Sequence, residues 1–118
     1  MAEYKIAHIL LSHRESEEPT SDRTRPDALS KAEDALDRIK DGMAFEIIAS
    51  QVSDCPSGAI GGLLGVVEEG EMVEEFEEVA FKLNEGDVSE VFETEYGYHI
   101  AWRYTTELLD EAYKNSEE

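Results

Sequence analysis

SDCPSGAIGGLLGVVEEGEMVEEF, residues Ser53–Phe76, holds five of the chain's eight glycines, at positions 58, 61, 62, 65 and 70. Glycines spaced in this way predict irregular backbone with positive φ and close chain approach, then a restart of regular structure. They follow Cys55, the only cysteine, and are interleaved with Leu63, Leu64, Met72 and Phe76. A thiol, a glycine-rich wall and large apolar side chains are the parts of a small apolar pocket with one reactive atom at its edge. The same spacing suits a long surface loop with a buried free cysteine, so the stretch alone leaves both readings open.

Working outward, Tyr4 to Leu11 is a β-rich run with apolar residues on both faces, as in a central strand. His8 sits in its middle and, by itself, reads as a core histidine bonded to backbone. From Ser12 to Pro26 the chain is polar and aperiodic, an exposed loop in which His13 is expected to be solvated. Pro26 at a first helical turn, with Ala28, Leu29, Ala32, Ala35, Leu36 and Ile39, predicts an amphipathic helix that Gly42 ends. Phe45, Ile48, Ala49 and Val52 fall at i, i+3, i+4, i+7 and predict a second, shorter helix.

On the other side, Met72, Phe76, Val79, Ala80 and Leu83 share one face of a third helix, closed by the Asn84–Asp87 turn. Val88, Val91 and Phe92 suggest a short strand. A turn at Thr94–Gly97 leads into Tyr98–Tyr104, whose period-two alternation predicts a half-buried strand with His99, Ala101 and Arg103 on one face. The last pair of strands has no helix between its members, so an α+β domain with a small, mostly antiparallel sheet fits better than parallel βαβ units.

At 118 residues, the chain is long enough for one core. We expect a single domain over residues 1–105 and an acidic tail or frayed helix over 106–118. A formal net charge of −19 argues against nucleic acid and anionic membranes as partners and suits basic polypeptides or high ionic strength. One cysteine makes no intramolecular disulfide, which fits a reducing compartment. With no basic leader and no apolar run of transmembrane length, a cytoplasmic monomer is expected.

Taken together, AHILL, FEIIASQVSDCPSG, GGLLG, GEMVEEFEEVAFKL and EGDVSEVFETEYGYHI resemble, in order and spacing, the parvulin-type peptidyl-prolyl cis/trans isomerases from about Tyr4 to Tyr104. The resemblance implies a parvulin-like (FKBP-like) α+β fold, a four-stranded, mostly antiparallel sheet surrounded by about four helices. It implies a substrate proline on the exposed side of the sheet, proline-containing polypeptides as partners, and no metal or cofactor. His8 matches the family's first-strand histidine, and His99 the last-strand histidine of its T-x-x-G-x-H ending, here Thr94–His99. Cys55 matches a position that parvulins fill with cysteine or aspartate. By the same resemblance Leu64, Met72 and Phe76 form the proline-ring pocket, and Tyr96 stands where many members carry phenylalanine. There are three departures from the pattern: Leu63 replaces an aspartate, Glu75 a proline, and Val66-Val67 a more aromatic pair.

The chemistry asked of such a site is modest. An X–Pro bond crosses a barrier of about 18–20 kcal/mol because twisting breaks amide resonance, and no new covalent bond is needed. Gripping the ring in an apolar pocket and placing polar groups at its edge favours the twisted amide. We expect Cys55, His8, His99 and Thr94 to form that edge as a hydrogen-bonded network. Two other readings compete: a Cys–His hydrolase, for which no oxyanion turn is evident around Cys55, and a proline-directed binding module with little turnover. Phospho-directed parvulins carry a basic cluster after the first strand. Where this loop resembles theirs, Glu17 and Glu18 replace the paired arginines, so a phosphate before proline is expected to be disfavoured.

Overall fold

The computed structural model describes residues 4–16, 22–55 and 60–105. In chain order the elements are β1 (Lys5–Leu11), α1 (Arg25–Lys40), α2 (Phe45–Val52), β2 (Leu63–Val66), α3 (Glu74–Ala80), β3 (Phe92–Thr94) and β4 (Gly97–Arg103). The four strands form one antiparallel sheet in the order β2-β1-β4-β3. The run read as a central strand is central, flanked on both sides.

Period-two alternation splits the sheet into two chemically different faces. Ala7, Ile9 and Leu11 of β1, with Ile100 and Trp102 of β4, pack against Ala28, Ala32, Ala35 and Leu36 of α1 and Phe45, Ile48 and Ala49 of α2. Alanines on the inner side of α1 let that helix lie close to the strands. The opposite face carries Ile6 and Ala101, covered by Phe76 and Ala80 of α3 and by Val67. His8 and His99 project from this second face, between Ile6 and Leu10 on one strand and next to Ala101 on the other.

Local chemistry sets the helix ends. Thr24 caps α1 by accepting from the Asp27 N–H at 3.2 Å, Pro26 lies in the first turn, and Asp27 there and Arg38 and Lys40 at the far end complement the helix dipole. At α3 no side chain caps the start, and the helix begins at Glu74, two residues later than the apolar spacing from Met72 suggests.

The structure corrects several expectations. The glycine-rich stretch is not irregular throughout: Leu63–Val66 is a strand, pairing Leu63 with Ala7 and Val66 with Lys5. Alternation is hidden there because both Leu63 and Leu64 are apolar. Val88 makes an isolated bridge to Trp102, and the strand after it is Phe92–Thr94. Among the described residues there are three α-helices where about four were expected. The tail at 106–118, Gly58, and Glu17 and Glu18 lie outside the described residues. No helix among the described residues is long and apolar enough to cross a membrane.

Gly62, just before β2, shows why the strand's entry needs a glycine. It has φ +79°, its carbonyl accepts the His8 N–H at 2.9 Å, and a Cβ there would stand 2.3 Å from the His8 carbonyl oxygen. Gly97 is under the same constraint at the start of β4, with φ +133° and a would-be Cβ 2.5 Å from the Leu11 carbonyl oxygen.

Candidate active site

In the β1–β4 register His8 faces Ala101 and Leu10 faces His99, which makes the two histidines diagonal neighbours on one face. Their Nδ1 atoms lie 3.3 Å apart, and His99 Nε2 lies 2.8 Å from Thr94 Oγ1. Thr94 Oγ1 also accepts the Tyr96 N–H at 3.1 Å, which ties the β3–β4 turn to the same chain. An Nδ1–Nδ1 contact requires one ring to donate and the other to accept. The chain Thr94–His99–His8 therefore has two consistent proton arrangements, and its open end in both is His8 Nε2, a buried atom with no hydrogen-bond partner.

Aromatic rings clamp the pair. The Phe76 ring meets His8 and His99 edge-on, at 5.6 and 5.5 Å between centroids, and Phe92 stacks on His99 at 5.4 Å. Burial pushes the His8 imidazole down to about 4, and burial with the neighbouring His8 pushes His99 down to about 3. Both rings are therefore neutral near pH 7.

The other expected residues divide by exposure. Leu64 and Met72 are half-buried and pack in one cluster with Phe76. Phe76 itself has 0% exposure, so Leu64 and Met72, not Phe76, present surface. His8 and His99 are 4% exposed and Thr94 is 6% exposed; the expected polar edge thus lies beneath the surface. Cys55 is half-buried just beyond α2, and Tyr96 is half-buried in the β3–β4 turn.

Several functional neighbours were not read from the sequence. The segment that carries Cys55 is sewn to β1: Asp54 N–H donates to the Leu10 carbonyl at 2.7 Å, and Leu10 N–H to Ser53 Oγ at 3.0 Å. The Asp54 carboxylate accepts the Ser12 N–H at 2.8 Å and pairs with Arg23. Glu77 of α3 accepts the N–H groups of Gly70 and Met72 at 2.8 and 2.9 Å, which fixes the approach of Met72. His13 is 3% exposed, not solvated as expected. Its ring packs on Tyr98, its Nδ1 accepts the Glu15 N–H at 3.2 Å, and Nε2 lies 3.8 Å from the Glu93 carboxylate. A ring partner on β4, far along the chain but adjacent to β1 in the sheet, gives a histidine no local signal, so only the fold reveals this burial. Among the described residues no group of three His, Cys, Asp or Glu side chains is placed to hold a metal ion.

A four-stranded antiparallel sheet with a paired-histidine face under one short helix defines a parvulin-type domain. Residues 8–103 match the Rotamase family, the PPIC-type PPIase domain, and the chain belongs to that family. It is 38% identical over 109 residues to peptidyl-prolyl cis-trans isomerase ESS1 of Saccharomyces cerevisiae, covering 84% of this chain and 64% of that protein. It is 36% identical over 110 residues to peptidyl-prolyl cis-trans isomerase Pin1 of Arabidopsis thaliana, covering 84% of this chain and 92% of that one. Among solved structures, peptidyl-prolyl isomerase ESS1 from Candida albicans superposes with a TM-score of 0.83 at 34% identity, covering 87% of this chain and 63% of that one. The chain thus spans less than two thirds of the length of the two yeast relatives.

Proposed function

We propose that this protein is a peptidyl-prolyl cis/trans isomerase that rotates X–Pro bonds in polypeptides without a covalent intermediate. The observation that carries the reading is the neutral, hydrogen-bonded Thr94–His99–His8 chain clamped by Phe76 beneath the apolar surface of Leu64 and Met72, in a chain of this family. Leu64 and Met72 grip the proline ring, each buried methylene contributing about 0.8 kcal/mol. Cys55, the one member of the expected edge that is half-exposed, touches the twisting amide and accepts or donates a hydrogen bond to it. His8, His99 and Thr94 act as positioning residues: they hold the strand ends and Phe76 in a fixed arrangement. A neutral pair suits this role, since a buried charge there would cost far more than it could return.

Client selection follows the charges around the loop after β1. Of the three arginines that could meet a phosphate there, Arg23 is engaged by Asp54 and the Ser12 carbonyl and Arg25 by Glu93 at 2.5 Å, which leaves exposed Arg14 against the loop's glutamates. With Glu17 and Glu18 in the same loop, phosphorylation before proline lowers turnover. The lone cysteine agrees with a cytoplasmic setting. Full burial of Phe76 favours a second reading, a proline-directed binding module with little turnover, because a closed pocket floor limits how far the ring can enter.

NMR exchange on X–Pro peptides separates the two. We expect measurable isomerisation that falls on the order of tenfold in kcat/KM for Cys55→Ala, the loss of one polar contact of about 1.4 kcal/mol, and less for Cys55→Asp. The phosphorylated member of a paired Ser-Pro peptide should be the slower. Absence of exchange catalysis with retained peptide binding would establish the binding module. Equal inactivity of Cys55→Asp and Cys55→Ser would overturn the non-covalent role.

A further inference from the structure

Three side chains form the cluster assigned to the proline ring, and each is held by a different device. Leu64 lies within β2, whose pairing with β1 fixes its backbone. Phe76 lies in α3 and is fully buried. Met72 belongs to neither element, since it sits in the connection between β2 and α3. A methionine side chain has three rotatable bonds and adapts to irregular gaps, so it grips a ring firmly only where its backbone is fixed.

That backbone is tied from inside the helix that follows. Val73 stands at the N-cap of α3, has no acceptor in its side chain and makes no side-chain cap. Half-buried Glu77, four residues further on, reaches back past it. One carboxylate oxygen accepts the N–H of Met72 at 2.9 Å and that of Gly70 at 2.8 Å, and the other shares the Gly70 N–H at 3.1 Å. The N–H of Glu77 donates to the Val73 carbonyl at 3.1 Å, so the residue is anchored in the first turn while its carboxylate holds the chain before it. An ordinary capping box reaches only the N-cap N–H. Here the carboxylate passes the cap and binds the residue that carries the ring contact. Its charge is favoured at a helix N-terminus, and an ionised acceptor makes the stronger class of hydrogen bond.

We propose that Glu77 is a positioning residue for the isomerisation: without touching the client, it sets where the Met72 side chain stands against the proline ring. The inference rests on the isomerase reading for the identity of that ring. The effect falls on binding. Contact with the ring's methylenes is made in the planar and twisted forms alike, so loosening it raises KM and leaves kcat nearly unchanged. A merely structural carboxylate would act otherwise, because fewer folded molecules lower the apparent kcat at the same KM.

The test is a double-mutant cycle of Glu77→Ala with Met72→Ala, read by NMR exchange on one X–Pro peptide over a range of concentrations. Glu77→Ala is expected to raise KM about 3- to 10-fold, less than complete loss of a buried methionine contact would cost, with kcat within about 2-fold of wild type. In the Met72→Ala background the same substitution should change KM by less than about 1.5-fold, because the side chain through which it acts is gone. Glu77→Gln keeps the shape and one acceptor oxygen and should raise KM less than Glu77→Ala does. Glu78→Gln removes the same charge from the exposed neighbour and should leave KM at the wild-type value. A fall in kcat at unchanged KM, equal effects of Glu77→Ala with and without the Met72 side chain, or an equal rise in KM for Glu78→Gln would each overturn the proposal. Should Glu77→Ala fail to fold, Glu77→Gln takes its place in the cycle on the same criteria. If no peptide is turned over, the isomerase reading fails, and Kd values from NMR titration of the same peptide decide the role of Glu77 in place of KM.

Discussion

His8 and His99 lose their positive charge because burial against Phe76 and Phe92 penalises the imidazolium, and among the described residues neither has an anion to pair with. Their folded values, about 4 and about 3, lie below the ordinary 6.5. Between 6.5 and those values the unfolded chain binds the protons and the folded chain does not. The stability they contribute is therefore complete above pH 6.5 and is lost as the pH falls towards 4 and 3. Each costs up to about 1.4 kcal/mol per pH unit over that window. Carboxylate protonation relieves the negative surface only at the acid end, so the loss should be visible between pH 6.5 and 5. We expect the ring resonances of both residues to stay in the neutral form down to pH 5 by NMR. A midpoint near 6.5 for either would show that the pair is open to water and not a buried neutral chain.

At the scale of an element, β2 depends on a backbone approach that a side chain would forbid. Gly62 has φ +79° and no room for a Cβ beside the His8 carbonyl. Gly62→Ala carries the left-handed penalty of about 1–2 kcal/mol, plus the shift of β2 away from β1. A fall in Tm on the order of 5–15 °C follows for a domain of this size, with isomerase activity reduced further because the His8 N–H donates to the Gly62 carbonyl, a bond that positions His8. Gly42 is a useful contrast, since nothing lies within 4 Å of its would-be Cβ. Gly42→Ala should show only the φ penalty. Equal Tm losses from the two substitutions would mean that the close contact at Gly62 is not what holds β2.

Across the whole molecule, 29 acidic residues face 10 lysines and arginines. Most carboxylates thus have no cation, and several cations that exist are engaged locally, as in the Lys40–Glu90 and Arg38–Asp34 pairs. Self-repulsion on this scale destabilises the compact state, and counterions screen it over a Debye length of about 10 Å at 0.1 M. Tm should climb as NaCl rises from millimolar to several hundred millimolar. A flat profile would mean that the carboxylates are too dispersed for their repulsion to matter.

Sequence alone determined what depends on local order. The 3.6-residue apolar spacing marked α1 and α2, and α2 has the expected limits, Phe45–Val52. A β-rich run with apolar residues on both faces marked β1, alternation marked β4, and the joint spacing of five short motifs pointed to the family and to His8, His99, Thr94, Phe76, Leu64 and Met72. Glycine spacing announced positive φ at Gly61, Gly62, Gly65 and Gly70, but hid the strand between them, because two adjacent leucines carry no alternation. What only the tertiary structure decided depends on which strands lie side by side. The β1–β4 register brings two histidines 91 residues apart to 3.3 Å. The cover of α3 buries Phe76 fully against the two histidine rings. The folding of the β3–β4 turn against the loop after β1 buries His13. Proximity across a sheet is set by register and cover, neither of which is written in the neighbours of a residue along the chain.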